Sequence, residues 1–256
     1  MEALREKKRR GEPITALTAY DYPTARLLDE SGVDVILVGD SLGMVVLGYE
    51  DTTKVTLDAM VHHTRAVARG VKRALLVADL PIHTYDTPEQ ALASARALVD
   101  AGAQAVKLEG GVAHAREIAA VVSAGIPLMG HIGMLPQSVR EEGGYKLKGR
   151  TETEMEALLR DGRAVEAAGA FSVVLEIVTA EAARRITDAL EIPTIGIGSS
   201  ENCDGQILVT HDLIGLYPWF VPKFVQQEAN VAAEIRRAVE AFIERTQAQS
   251  RLSAKV

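Results

Sequence analysis

Four times along the chain, a helical stretch ends in a small residue and glycine and passes at once into an apolar run. Ser31-Gly32 precedes Val35–Val38, Ala101-Gly102 precedes Ala105–Leu108, Ala124-Gly125 precedes Pro127–Met129, and Ala168-Gly169 precedes Phe171–Leu175. A glycine just past a helix supplies the left-handed conformation that closes it. An apolar run with no polar alternation is a strand covered on both faces, as in a parallel sheet. Ile14–Thr18, Ala74–Ala78, Pro193–Ile197 and Gln206–Val209 complete eight candidate strands.

The spacers between these strands are helical in pattern. Thr87-Pro88-Glu89-Gln90 opens one helix with a cap residue, a proline at its first position and an acid–amide pair. A second spacer runs from Thr151 to Ala168. Strand–helix alternation repeated eight times predicts an α/β fold, a single (β/α)8 TIM barrel. No Gly-x-Gly-x-x-Gly loop follows the first strand, which counts against a doubly wound open sheet. No linker or composition shift divides the chain, so one domain over residues 1–256 is expected. It carries an N-terminal helix ending at Gly11 and a helical tail from about Gln226 to Gln247, with fraying from about residue 250.

At 256 residues, 47% hydrophobic and 25% charged, the chain has ample material for one barrel core. A net charge of −7 gives no sign of a nucleic-acid or acidic-membrane partner. No apolar run approaches the roughly 20 residues that cross a bilayer. The N-terminus is charged from its second residue and lacks a signal core, so the cytoplasm is the expected compartment. The basic run Arg5–Arg10 is read as a solvated helix face. The one cysteine, Cys203, excludes an intrachain disulfide and has no adjacent base.

In such a barrel, chemistry sits at the C-terminal ends of the strands. Those ends carry Asp40 after strand two, Asp79 after three, Lys107 and Glu109 at four, His131 at five and Glu176 at six. Ionisable groups at five consecutive ends are too many for helix caps, and burying them together requires a ligand or metal. Lys107 and Glu109 are two apart and share a side of their strand, whereas Leu108 faces away. The oxygen donors Asp40, Asp79 and Glu109 suit a hard cation such as Mg²⁺. Lys107 either balances these acids or grips a substrate carboxylate, and the two roles are compatible. The flanking glycines of Gly130-His131-Ile132-Gly133 favour a site role for His131. Tyr217, Trp219, Phe220 and Phe224 concentrate the chain's few aromatics, either packed under the last helix or at a subunit interface.

These stretches resemble the ketopantoate hydroxymethyltransferase family. The motifs are Leu17-Thr-Ala-Tyr-Asp-Tyr22, Val38-Gly-Asp-Ser-Leu-Gly-Met44, Val55-Thr-Leu57 with His63-Thr64, and Val77-Ala-Asp-Leu-Pro81. They continue with Val106-Lys-Leu-Glu-Gly-Gly111, Gly130-His-Ile-Gly133, Pro136-Gln137-Ser138, Gly143-Gly-Tyr-Lys146, Gly149-Arg-Thr151, Asp204-Gly-Gln206 and Pro222-Lys-Phe224.

The resemblance implies transfer of a one-carbon unit from 5,10-methylenetetrahydrofolate to 3-methyl-2-oxobutanoate through a Mg²⁺-stabilised enolate. It aligns Asp40, Asp79 and Glu109 with metal ligands, and Asp40, Ser41, Asp79 and Lys107 with keto-acid contacts. Glu176 aligns with the proton acceptor, and His131 takes a supporting role at the substrate. Homo-oligomers, commonly decamers, are implied as well. Ser199-Ser200 departs from the family's small residue and glycine, which puts the loop after strand seven in question. The competing readings are a Mg²⁺-dependent carbon–carbon lyase of the phosphoenolpyruvate mutase and isocitrate lyase type, and a barrel that only binds a keto acid.

Overall fold

In the computed structural model, eight parallel strands close on themselves in sequence order. They are β1 (Ile14–Thr18), β2 (Val35–Val38), β3 (Leu75–Asp79), β4 (Ala105–Glu109), β5 (Leu128–Gly133), β6 (Ser172–Glu176), β7 (Thr194–Ile197) and β8 (Gly205–Leu208). The eighth pairs with the first, Ile14 opposite Gly205, which makes the sheet a TIM barrel. The structure describes the backbone of residues 1–253 and the side chains of residues 1–249.

Ten α-helices accompany the strands among the described residues. They are α1 (Glu2–Arg10), α2 (Tyr22–Ser31), α3 (Leu42–Val45), α4 (Leu57–Ala68), α5 (Pro88–Asp100), α6 (Ala115–Ser123), α7 (Glu152–Ala167), α8 (Ala180–Ala189), α9 (Thr210–Leu213) and α10 (Val231–Ser253). The cap residues do what their chemistry allows: the hydroxyls of Thr87 and Thr151 accept from the backbone N–H groups of Gln90 and Glu154.

Two compact units divide the chain, residues 1–208 and residues 209–256. The first holds the whole barrel and α1–α8. Its interior is filled by inward residues such as Ala16, Leu37, Val77, Ala105, Met129, Val174 and Ile195, with Leu4 of α1 joining the same cluster. A second cluster, including Leu108, Ile118, Leu128 and Val165, lies between strands and helices. Each fully buried Leu or Ile of this kind contributes about 1.5–3 kcal/mol.

The basic helix α1 is a solvated face at Arg5, Arg9 and Arg10, which are exposed, but not at Lys7 and Lys8. Lys7 pairs with Asp34 at 2.7 Å and Lys8 with Asp204 at 2.8 Å. Lysines on a helix next to the strands' N-terminal ends can bury their stems while their ammonium groups reach loop carboxylates.

The second unit contains α9 and α10. Helix α10 starts at Val231, later than its composition suggested, because the Asn230 side chain accepts from the Ala233 N–H and caps it there. Its backbone runs on to Ser253. The fraying expected from about residue 250 therefore falls partly on helical backbone, and residues 254–256 lie outside the described residues.

Candidate active site

Strand register brings the polar ends together. Asp79 stands opposite Lys107 across β3 and β4, and Glu109 opposite His131 across β4 and β5. Residues of this parity line the barrel interior, so Asp79, Lys107, Glu109, His131 and Glu176 follow the inward face. All five are nearly inaccessible to solvent, as is Asp40.

The contacts form one network. The Lys107 ammonium donates to Asp79 Oδ1 at 2.5 Å, and Asp79 Oδ2 accepts from the Asp40 backbone N–H at 3.1 Å. His131 lies between two carboxylates, Nδ1 3.4 Å from Glu109 and Nε2 3.1 Å from Glu176. Neither ring nitrogen is aligned for a directed hydrogen bond, and Glu109 Oε1 is buried with no hydrogen-bond partner. The Ser41 hydroxyl shares a 2.8 Å hydrogen bond with that of Tyr20. Gly39 is what permits this crowding: a Cβ there would lie 2.9 Å from Ser41 Oγ and 3.5 Å from Asp79 Oδ2.

Charge is out of balance here. Burial, and then the neighbouring charges of Asp79 and Glu109, hold the Asp40 carboxyl well above the ordinary carboxylate range. Burial alone would strip the proton from Lys107, but Asp79, Glu109 and Asp40 outweigh it and hold the ammonium above its usual value. At His131, burial and Lys107 oppose the imidazolium, yet Glu109 and Glu176 prevail and push it up to about 9.

The backbone after Glu176 is unusual. Ile177 has φ 47°, a left-handed conformation that a β-branched residue rarely adopts. Its N–H donates to the Ile197 carbonyl and its own carbonyl accepts from the Lys148 N–H, both at 2.9 Å. Strain of this kind persists only where the surroundings over-determine it, and it directly follows a candidate catalytic carboxylate.

Thus the seven predicted residues, Asp40, Ser41, Asp79, Lys107, Glu109, His131 and Glu176, fall in one region of the first unit. Ser199 does not join them; its hydroxyl donates to the Leu175 carbonyl at 2.6 Å and fastens the loop after β7. That loop's positive φ falls on Gly198, and Ser200 is not among the left-handed residues, so the serine pair costs no backbone strain. Cys203 is half-buried, its thiol pushed up to about 11 by burial and then by Asp204, which leaves it unreactive. The Gly143–Thr151 loop is tethered: Lys148 pairs with Glu142, the Thr179 N–H donates to the Lys148 carbonyl, and Arg140 just before it donates to Asp51 at 2.6 Å. Gln137, Tyr85 and Tyr20 are buried polar residues of this region that strand-end counting did not reach.

The family model for ketopantoate hydroxymethyltransferase matches residues 1–250. The chain belongs to the ketopantoate hydroxymethyltransferase family. A 3-methyl-2-oxobutanoate hydroxymethyltransferase from Syntrophus aciditrophicus (strain SB) is 54% identical over 243 residues, covering 94% of this chain and 89% of that protein. One from Carboxydothermus hydrogenoformans (strain ATCC BAA-161 / DSM 6008 / Z-2901) is 50% identical over 251 residues, 97% and 91% of the two chains.

Among solved structures, a phosphonopyruvate hydrolase complex with oxalate and Mg²⁺ superposes with a TM-score of 0.65 at 16% identity, covering 96% of this chain and 87% of that one. A 2,3-dimethylmalate lyase of the phosphoenolpyruvate mutase and isocitrate lyase superfamily gives 0.63 at 20%, covering 95% and 87%. At such identities the likeness is one of fold.

The acid set can be tested for a divalent cation on its own chemistry. Among the described residues, no three His, Cys, Asp or Glu side chains already converge as a closed metal cage. Mg²⁺ does not need one: it keeps several waters and takes one or two carboxylates together with substrate oxygens. The buried Glu109 Oε1, which accepts no hydrogen bond, and the mutual repulsion around Asp40 are what a hard cation would relieve. The residues fit the ion.

Proposed function

We propose that this enzyme transfers a hydroxymethyl unit from 5,10-methylenetetrahydrofolate to 3-methyl-2-oxobutanoate, giving 2-dehydropantoate on the route to pantothenate. The observation that carries this reading is the buried excess of carboxylate around Lys107, in a chain about half identical to relatives bearing that activity's name. Asp40, Asp79 and Glu109 would hold Mg²⁺, directly or through its waters. When bound, the ion supplies Lewis-acid polarisation of the keto acid's carboxylate and keto oxygens.

Lys107, already held by Asp79, retains N–H donors for the substrate carboxylate. Asp40, Ser41 and Asp79 orient the keto acid, and His131 supports Glu176 at 3.1 Å. Glu176 takes the proton from C3, next to the ketone. Water hydrolyses the folate methylene, breaking both its C–N bonds to leave tetrahydrofolate and formaldehyde. The enolate carbon adds to the formaldehyde carbonyl, whose oxygen takes up a proton. Water supplies the hydroxyl oxygen.

The test is an assay of the purified chain with 3-methyl-2-oxobutanoate, methylenetetrahydrofolate and Mg²⁺, each omitted in turn. Loss of product in every omission is expected. Consumption of a keto acid without folate would transfer the assignment to a carbon–carbon lyase.

We further propose a cytoplasmic homo-oligomer larger than a dimer. No described helix is long and apolar enough to cross a membrane. Trp219, Phe220 and Phe224 are exposed rather than packed inward, and Ile235, Val239, Phe242 and Ile243 form an exposed stripe on α10. Such patches mark interfaces. Light scattering checks the assembly, and a monomer would remove the idea.

A further inference from the structure

The motif Pro136-Gln137-Ser138 lies in a short 3-10 turn after β5, far in sequence from the acids it meets. Gln137 is 3% exposed. Its backbone N–H donates to Glu109 Oε2 at 3.1 Å, and its side-chain nitrogen donates to Asp40 Oδ2 at 2.8 Å and to the Leu80 carbonyl at 3.0 Å. Its amide oxygen accepts from the hydroxyl of Tyr85, a residue 5% exposed whose ring meets His114 edge-on. The Tyr85 hydroxyl fixes which way the amide faces, because only the oxygen can accept it.

A glutamine amide offers two N–H donors, and here both are used, as are its oxygen and the backbone N–H. Nothing is left with which Gln137 could donate to substrate, so its effect must pass through Asp40 and Glu109. It occupies one oxygen of each carboxylate, and at Glu109 the other oxygen makes no hydrogen bond and meets only His131 Nδ1, 3.4 Å away. An outer partner that holds one oxygen while the second faces the site is the arrangement by which proteins aim carboxylate ligands.

We propose that Gln137, oriented by Tyr85, is a positioning residue that sets the separation and aim of the Asp40 and Glu109 carboxylates for the divalent cation. This rests on the metal reading given above. It joins the loop after β5 to the ends of β2 and β3 through its side chain and to the end of β4 through its backbone N–H, which the barrel strands alone do not do.

The experiment is calorimetric titration of the full-length chain with Mg²⁺ at saturating 3-methyl-2-oxobutanoate, alongside thermal melts. Gln137→Met, similar in volume but without the amide, should fold and weaken Mg²⁺ by about 10- to 100-fold. Tyr85→Phe should weaken it by a smaller factor, and the double variant should be no worse than Gln137→Met, because both act through one amide. A merely structural glutamine would lower the melting temperature and leave the affinity of the folded protein unchanged; that result overturns the proposal. Additive losses overturn the part given to Tyr85. If Gln137→Met fails to fold, Tyr85→Phe decides, and wild-type affinity there overturns it. Failure of the wild type to bind Mg²⁺ removes the metal reading and this inference with it, whereas binding unchanged in the variants removes the inference alone.

Discussion

At the N-terminal mouth of the barrel the half-buried acids Asp204 and Asp34 are saturated, whereas at the C-terminal mouth four carboxylates face one lysine and one histidine. Below, Asp204 accepts from Lys8 at 2.8 Å and from the Thr194 N–H at 2.8 Å, and Asp34 accepts from Lys7 at 2.7 Å and the Thr15 N–H at 2.9 Å. Above, Asp40, Asp79, Glu109 and Glu176 share Lys107 and His131, and Glu109 Oε1 makes no hydrogen bond, only its 3.4 Å pairing with His131. Both ends are polar, so polarity alone does not separate them. Satisfaction does: a mouth whose charges close on themselves holds the barrel together, and one left in deficit is built for something that arrives later.

The contrast breaks most visibly at Asp40. Asp40→Asn removes one negative charge from a group of mutually repelling acids, so the folded protein without metal should melt no lower, and higher if the repulsion is relieved. Turnover should fall by more than about 100-fold, beyond the loss typical of an outer partner. Steady-state assay and a thermal melt on one preparation decide it. An active variant, or one that melts well below the wild type, would place Asp40 with the structural acids.

Glu176→Gln comes next in size. Exchange of the keto acid's C3 proton with deuterated water should slow by about 10²- to 10⁴-fold, the range of a lost general base, while binding of Mg²⁺ and keto acid persists. Proton NMR of 3-methyl-2-oxobutanoate follows the exchange. A wild-type rate would pass the role to another residue, with His131, 3.1 Å away, first to be examined.

How much of this contrast could be read from sequence follows from how far each contact reaches. The strands were legible because burial on both faces leaves an apolar run, and observed bounds such as Ser172–Glu176 lie within a residue of the run Phe171–Leu175. Lys107 and Glu109 were legible because strand parity is local. Gln137 was not: it meets Asp40 across 97 residues, and nothing near it in the chain marks it as buried. Lys8 and Asp204 are 196 residues apart, so a lysine in a basic run was read as solvated. Helical periodicity tells which side a residue faces, and only closure of the barrel tells what waits there.

The lower mouth supplies the converse of the Asp40 experiment. Asp204→Ala leaves the Thr194 N–H without its acceptor and the Lys8 ammonium with the Thr187 carbonyl but no counter-charge, in a place only slightly open to water. Breaking a buried pair costs about 3–5 kcal/mol; with this partial exposure about 2 kcal/mol is expected, or roughly 4–8 °C in melting temperature. Activity at 25 °C should stay within about twofold, because no part of the acid network above is touched. A melt unchanged within a degree would show that saturation at this end carries no stability.

The smallest effect is the acid limb of stability. Burial by itself would raise the Asp34 carboxyl, but the Lys7 ammonium and the Thr15 N–H and hydroxyl outweigh it, so its pKa lies below the ordinary value. Asp29 is lowered in the same sense by the backbone N–H groups of Ala74 and Arg73, again against burial. A carboxylate with a depressed folded-state pKa stabilises fully above its unfolded value, about 3.9, and that contribution is lost as pH falls through the folded value. The wild type should therefore lose stability below about pH 4. Asp34→Asn should be less stable at pH 7 by up to about 1 kcal/mol, as for a largely surface pair, and should lose less than the wild type on acidification. Urea melts at pH 7 and pH 3 on both proteins measure the difference of differences. Equal acid slopes would mean that Lys7–Asp34 is formed but contributes nothing, which would confine the saturated mouth's stability to Asp204 and Asp29.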